Sequence, residues 1–494
     1  MMHRGATVLM QVLTEYSGLF VELARCFKDN LDCRVHLYVA VDRDVRHYRA
    51  IDDGKLFESV TIATQLMEGS RAPVSSHEDA LATAHANEAW LGLTYNELCV
   101  ANRHLGRGFA LGGFHFPRSR MSDETDYWGL LHGQNREIEF WRREIETKRP
   151  ALAINLNKGG SVVARRLGVP LRWLAISRYK NFHYWAFNEF YESPRLRRAY
   201  ERTPAAEKVE IAEPYDAHMQ LRAVFQRETS LQRTLAIAGR MIAQRTYWRL
   251  RGYQKGKNYY LRSELASILR RRRDLIRTTG RHAAGLDALK GKRYVFFPLH
   301  TEPETALQGL SPEYFYQLSC IAAIARDLPA GVLLAVKDTY FSLGFRPGDF
   351  YDQVREFKNV VLLDTMILGP AVIRGTEAVV TITGTGGFEA AVQGKPVVLF
   401  GRHNIYDFLP HVRVIRDEAE LKPTLAAFLS KEFDSRQAQR EGARFLTALL
   451  SESFDLGNFS TLNRRSVSQA AADAAFRSML QSLMPDLQHN RVVA

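Results

Sequence analysis

Val379-Val-Thr-Ile-Thr-Gly-Thr-Gly-Gly-Phe-Glu-Ala-Ala-Val-Gln-Gly-Lys-Pro-Val-Val-Leu-Phe-Gly401 is the most informative stretch of this chain. It reads as a buried β-strand, a turn of Gly and Thr, a short helix ending near Gly394, and a second buried strand opened by Pro396. The run Ala378 to Ile382 is apolar, β-branched and short, as a central parallel strand should be. Gly384, Gly386 and Gly387 are expected to let the backbone bend and come close to a ligand. Thr383 and Thr385 place hydroxyls beside the amides of the helix start, which is a natural seat for phosphate. Glu389 is expected in the first turn of that helix, where a carboxylate is electrostatically favoured and within reach of a ribose hydroxyl. A lone Gly-rich turn is also what any well-made βαβ corner needs. The spacing matches no GxxxxGK[ST] loop, because Lys395 follows the helix instead of opening it.

The same alternation extends upstream. Strands are expected at Tyr294 to Phe297, Val332 to Val336 and Val360 to Leu363, with helices at Pro312 to Arg326, Tyr351 to Phe357 and Pro370 to Arg374. Such βα units predict a parallel sheet covered on both faces, with ligands beyond the carboxyl ends of the strands. The N-terminal part has the same character. Ala6 to Leu13, Val35 to Val41, Ala151 to Asn155 and Leu171 to Ile176 read as strands. Gly18 to Phe27, Asp79 to Ala101 and Glu124 to Thr147 read as helices, and a further helix follows the turn Asn157-Lys-Gly-Gly-Ser161. The domain boundaries that follow are 1–200, an α/β domain; 201–290, a basic helical connecting region; 291–460, a second α/β domain; and 461–494, a C-terminal helix returning to the body.

The 494 residues suffice for two substantial cores, and 46% hydrophobic with 24% charged residues is ordinary for a globular protein. No apolar run approaches the length that spans a bilayer. The short apolar run Ala6 to Leu13 has no small-residue cleavage site after it, so no signal peptide is expected. Cys26, Cys33, Cys99 and Cys320 are scattered and read as packed, reduced thiols of a cytoplasmic protein. Residues 240–281 hold thirteen Lys/Arg against two acids, Glu264 and Asp274, and so carry +11 of the net +13. Tyr247, Trp248, Tyr253, Tyr259 and Tyr260 stand among them. Cations interleaved with rings suit an anionic membrane surface, an acidic glycan or a single-stranded nucleic acid. They equally suit a solvated face whose Arg stems cover apolar surface. With the rest of the chain near neutral, a general nucleic-acid binder is disfavoured.

Two α/β domains joined by helices, facing a central cleft, is the GT-B layout: two Rossmann-type domains with parallel sheets plus a helical connection. The C-terminal half resembles the capsule polysaccharide biosynthesis family, which includes bacterial Kdo-type sugar transferases. Three blocks carry the resemblance: Phe296-Phe-Pro-Leu-His-Thr-Glu-Pro-Glu304; Leu328-Pro-Ala-Gly-Val-Leu-Leu-Ala-Val-Lys337; and Thr383-Gly-Thr-Gly-Gly-Phe-Glu-Ala390 with Gly394-Lys-Pro-Val-Val-Leu-Phe-Gly401 and Tyr406. The family follows its Lys with an acidic residue and His-Pro. Here Asp338 is followed by Thr339 and Tyr340. The resemblance implies a metal-independent glycosyltransferase, peripheral at the inner membrane face. It would need no cofactor besides its nucleotide-sugar donor and would act on a capsule-type polysaccharide or lipid-linked acceptor.

Glycosyl transfer requires that the leaving phosphate be neutralised, the acceptor hydroxyl deprotonated and water excluded. For the donor, the candidates are His300, Glu304, Lys337, Thr383, Gly384, Thr385, Gly386 and Glu389. Lys337 is otherwise a solvated loop Lys, and His300 a structural bridge between loops. For the base, the candidates are Glu15, in the turn after the first strand, and His104, in Ala101-Asn-Arg-His-Leu-Gly-Arg-Gly108. Arg103 and Lys158 are candidates for an anionic acceptor. Asp42-Arg43-Asp44 matches the Asp-x-Asp of metal-dependent transferases, but in the half opposite the donor turn. No His/Cys cluster suggests zinc. The rival functions are a non-catalytic sugar- or nucleotide-binding subunit of a glycan assembly complex, a nucleotide-sugar epimerase and a polyol-phosphate transferase.

Overall fold

The computed structural model describes residues 3–99, 125–204, 230–252, 261–301, 306–314, 316–459 and 467–484. The chain divides into two compact units. One holds Met1–Leu98, Thr125–Ala199 and the chain from Leu449 onward; Tyr200–Ala448 lies in the other. The basic segment read as a connecting region thus clusters with the second unit.

The first unit is built on a seven-stranded sheet of order β13-β6-β5-β4-β1-β2-β3. Its strands are β1 (Thr7–Gln11), β2 (Arg34–Val39), β3 (Ser59–Ile62), β4 (Leu152–Ile154), β5 (Leu171–Ile176), β6 (Phe182–Ala186) and β13 (Phe454–Asp455). The central β1 and β4 are almost wholly buried, which is why they read as continuous apolar runs. The sheet is parallel from β5 through β4, β1 and β2 to β3, as expected, and departs from this at one edge. β6 runs antiparallel to both β5 and β13, because a short reversal at Ser177–Asn181 folds it back as a hairpin.

Helix α1 (Ser17–Leu31) covers one face of this sheet with Leu19, Phe20, Leu23 and Phe27. The other face is covered by α2 (Tyr127–Lys148) and α3 (Lys158–Arg166), which bury Ile138, Trp141, Val162 and Val163. Asp126 and Asn157 cap α2 and α3 by accepting the Gly129 and Gly160 amides.

The second unit holds a six-stranded, wholly parallel sheet of order β12-β11-β10-β7-β8-β9. Its strands are β7 (Arg293–Pro298), β8 (Val332–Lys337), β9 (Val360–Leu362), β10 (Ala378–Thr381), β11 (Val397–Leu399) and β12 (Val412–Val414). Two helices lead into this unit, α4 (Leu231–Leu250) and α5 (Leu261–Arg277). Around the sheet lie α6 (Gln317–Asp327), α7 (Gly369–Gly375) and α8 (Thr385–Val392). The helix expected from Pro312 is instead a 3-10 turn at Pro312–Tyr314 followed by α6.

The last helix, α9 (Gln469–Ser482), returns to the first unit. Phe476 meets Phe27 of α1 edge to face, with ring centroids 5.1 Å apart, and Met479 is fully buried. Each such side chain contributes about 1.5–3 kcal/mol.

Cys26, Cys33 and Cys320 are buried free thiols. Among the described residues no helix is long and apolar enough to cross a membrane.

Candidate functional site

In the second sheet the chain leaves β7 toward β8 and β9, then returns to place β10 on the other side of β7. The carboxyl ends of β7 and β10 therefore flank the topological switch point, where open α/β sheets take ligands. The register puts Lys337, Pro298 and Thr381 side by side at the ends of β8, β7 and β10.

His300 closes this point. It is buried, and its Nε2 accepts the Thr383 amide at 3.1 Å and lies 3.3 Å from the Thr381 hydroxyl oxygen. An accepting Nε2 assigns the imidazole proton to Nδ1. The backbone of His300 is held from three directions. Its N–H donates to Gln317 Oε1 at 2.7 Å, and its carbonyl accepts from Gln317 Nε2 at 3.0 Å and Arg346 Nη2 at 2.6 Å.

The glycines act here through close packing. None of Gly384, Gly386 and Gly387 has a positive φ. A Cβ on Gly384 would stand 2.8 Å from His300 Nε2, and one on Gly386 2.9 Å from Pro298. One on Gly387 would fall against the Tyr406 hydroxyl and the Thr381 methyl. Gly384 is the N-cap of α8, with Thr385 exposed at its first position. Thr383 is fully buried behind the turn, with its amide engaged by His300.

The expectation that Glu389 lies in the first turn of α8 is corrected. Because α8 begins at Thr385, Glu389 falls in the second turn, and the first turn carries no acid. Its side chain stands beside Gly369 at the start of α7. Burial pushes its carboxyl up to about 7, against the pull of the Lys337 ammonium. By surface exposure Glu389 is only half-buried, so a ligand can still reach it. Lys337 is half-buried and donates from Nζ to the Asp338 carbonyl at 2.9 Å. The structure thus brings His300, Lys337, Thr383, Gly384, Thr385, Gly386 and Glu389 to one end of one sheet.

The residue after Lys337 forms a buried cluster that sequence reasoning missed. Asp338 and Arg346 are both fully buried, with Arg346 Nε 3.0 Å and Nη2 3.1 Å from the two carboxylate oxygens. Tyr351 donates to the same carboxylate at 2.8 Å, as does the Thr339 amide at 2.7 Å. Through Arg346 this cluster ties the end of β8 to the His300 carbonyl. Asp338 stands where the family's acidic residue would, which was a usable signal. Nothing in the pattern marked Arg346.

Of the other expected residues, Glu15 is exposed, in a 3-10 turn (Thr14–Tyr16) after β1. Lys158 opens α3 in the first unit. Arg103, His104 and Glu304 lie outside the described residues, as do Tyr253, Tyr259 and Tyr260. Asp42 and Asp44 sit in the first turn of the short helix Asp42–Arg49. Among the described residues no group of three His, Cys, Asp or Glu could hold a metal.

The basic segment has two characters. On α5, Asp274 is buried against Arg273 and accepts the Gly344 amide at 3.0 Å, so this half is fastened to the loop after β8. On α4 only Thr234 is buried, while Leu235 and Leu250 are 61% and 82% exposed. This helix carries Arg233, Arg240, Arg245 and Arg249 and no acid.

Residues 206–409 match the model of a family described as capsule polysaccharide biosynthesis protein. No curated protein sequence matches the chain. Among solved structures, a Thermosulfurimonas dismutans KpsC, beta Kdo 2,7 transferase, is similar at 14% identity and a TM-score of 0.30, over 70% of this chain and 88% of that one. The S. aureus MnaA-UDP co-structure is similar at 8% identity and a TM-score of 0.28, over 89% and 92%. A putative UDP-N-acetylglucosamine 2-epimerase from Listeria monocytogenes is similar at 9% identity and 0.28, over 90% and 93%.

Proposed function

We propose that this protein is a glycosyltransferase that moves a sugar from a nucleotide-activated donor to a capsule-type polysaccharide or lipid-linked acceptor, with no cofactor beyond the donor. The observation that carries the reading is the switch point of the second unit, inside the segment matched by the capsule family. There an acid-free helix start is pinned by His300 and flanked by Lys337 and Glu389. An amide-lined helix start favours the phosphate that leaves, and a cation beside it offsets the developing charge. Glu389 is suited to the ribose or the sugar, since a carboxyl near 7 both donates and accepts at neutral pH. A lipid-linked acceptor would be met at the inner membrane face, and the exposed cationic α4 suits anionic lipid there.

A thermal-shift screen of nucleotide sugars tests the donor assignment, since a ligand at a hundred times its Kd stabilises the fold by about 2.7 kcal/mol. Turnover with the hit follows, and Glu389→Ala should abolish transfer while leaving the fold intact. Full activity in that variant removes the donor assignment.

A non-catalytic binding subunit is the second reading. It is favoured by Thr339 and Tyr340 in place of His-Pro, after an Asp338 wholly engaged in structure. Nucleotide-sugar binding with no turnover on any acceptor would select it. A product formed without acceptor would select an epimerase.

A further inference from the structure

The first unit holds a polar cavity of about 230 Å³ at the β13–β6 edge of its sheet. Every lining residue belongs to that unit. Four stretches far apart in sequence build it. Trp185 comes from β6, and Ser193 and Arg195 from the start of the helix Pro194–Arg202. Glu452 comes from the chain just before β13, and Arg477 and Ser478 from α9.

Positive charge gathers around this cavity. Arg477 is exposed and makes no hydrogen bond or ion pair among the described residues. Arg195 is half-buried, and donates from Nε to Glu452 Oε2 at 2.7 Å and from Nη1 to the Gln481 carbonyl at 2.6 Å. Its Nη2 has no partner among the described residues. Behind the wall lies Arg172, 5% exposed. It donates from Nε to the Ser482 hydroxyl at 2.8 Å, from Nη1 to the Leu171 carbonyl at 2.7 Å and from Nη2 to the Ser482 carbonyl. The Phe187 ring faces it, with the centroid 3.8 Å from the guanidinium carbon. All these partners are neutral, so Arg172 is a buried cation without a carboxylate. Burial, helped by repulsion from Arg195, pulls it down to about 10.

Capping of α9 accounts for part of this. Arg172 and Arg195 both donate to carbonyls of its last turn, where the helix dipole is equivalent to about half a negative charge. With Glu452, that offsets about one and a half of three positive charges. Buried charges in proteins are otherwise paired, so the remainder calls for an anion from outside the chain. The hydroxyls of Ser193 and Ser478 make no hydrogen bond among the described residues and add two neutral donors.

We propose that this cavity binds a small oxyanion, a phosphate group either free or carried on one sugar ring, held by the guanidiniums of Arg195 and Arg477 and the hydroxyls of Ser193 and Ser478. The planar fork of Arg matches phosphate oxygens two at a time. The volume lies below the roughly 300–1,000 Å³ of ordinary ligand pockets, which suits one phosphate or sugar phosphate and excludes a nucleotide. The bound anion joins β6, the helix Pro194–Arg202, the chain before β13 and α9, and so stabilises the first unit. The site is separate from the donor turn and does not rest on the glycosyl-transfer reading.

The test uses full-length wild type, Arg477→Gln, Arg477→Glu and Lys337→Ala. Inorganic phosphate and glucose 6-phosphate are titrated by calorimetry at constant ionic strength, with chloride as the blank. Hydrogen exchange with and without phosphate locates the bound anion. Wild type is expected to bind at least one of the two probes saturably and to protect amides of β6 and α9. Arg477→Glu should weaken this binding about tenfold or more, and Arg477→Gln by less, while Lys337→Ala in the second unit leaves it unchanged. Tighter binding of glucose 6-phosphate supports the sugar-borne group, and equal or tighter binding of inorganic phosphate supports the free ion. Wild type that binds neither probe saturably overturns the proposal. So does binding that survives Arg477→Glu undiminished, or that is lost in Lys337→Ala instead.

Discussion

His300 and Thr383, 83 residues apart, close the switch point of the second sheet by one hydrogen bond, in which imidazole Nε2 accepts a backbone N–H at 3.1 Å. Both residues are buried, so removing the acceptor leaves the amide with neither protein nor water. His300→Leu should therefore cost about 1–3 kcal/mol in urea unfolding. It should also weaken nucleotide binding at least about tenfold in calorimetry, because the turn that opens α8 loses its anchor. Unchanged stability would show that the turn holds itself.

The Asp338–Arg346 pair sets a second expectation. Both ions are fully buried, and the Asp338 carboxylate also accepts from Tyr351 and the Thr339 amide. Arg346→Met leaves a carboxylate uncompensated in the interior and should cost about 3–5 kcal/mol. The double variant Asp338→Asn/Arg346→Met should recover part of that loss, because no buried charge then remains. Equal destabilisation of the single and double variants would mean that the packing of Arg346, over the Phe350 ring, matters more than its charge.

What was legible in the sequence follows from where the information is local. β10 and the turn after it are contiguous, so apolar β-branched residues followed by glycines announced a strand, a turn and a helix. The parallel order of the second sheet followed from the βα alternation. The hairpin strand β6 and the two-residue β13 carry too little pattern to stand out, and their pairing joins residues far apart in the chain. Glu137 looks like any polar residue of an amphipathic helix until β1 and β4 bring Gln11 and Asn157 beside it. The turn position of Glu389 differs from expectation because α8 is capped at Gly384 and not at a later residue. The charge of 240–281 is plain from the sequence, but composition does not separate an Arg fastened to buried Asp274 from an Arg on an exposed helix.

That separation makes α4 the part of the basic segment to test for lipid contact. Leu235 and Ile242 are exposed on a helix whose charged residues are all Arg. Leu235→Glu/Ile242→Glu should abolish flotation with vesicles containing phosphatidylserine while leaving nucleotide binding unchanged. Each lost or opposed cation near the surface is worth about 1 kcal/mol, and binding of the wild type should fall steeply with salt. Equal flotation on purely zwitterionic vesicles would remove the electrostatic argument.

Glu137 makes a prediction that needs no substrate. Its carboxyl titrates near 7 in the folded protein and near 4.5 when exposed, so between these values the fold holds a proton that the unfolded chain has released. Stability from this residue is fully present below pH 4.5 and is lost as pH rises through 7. The difference amounts to about 3 kcal/mol at 1.36 kcal/mol per unit. Glu137→Gln cannot ionise. Measured by denaturant unfolding, it should gain on the wild type from pH 5 to pH 8 by up to about 3 kcal/mol. Glu389 adds a slope of the same sign in both proteins, so it cancels in the comparison. Stability curves that stay parallel across this range would place the Glu137 carboxylate in contact with water.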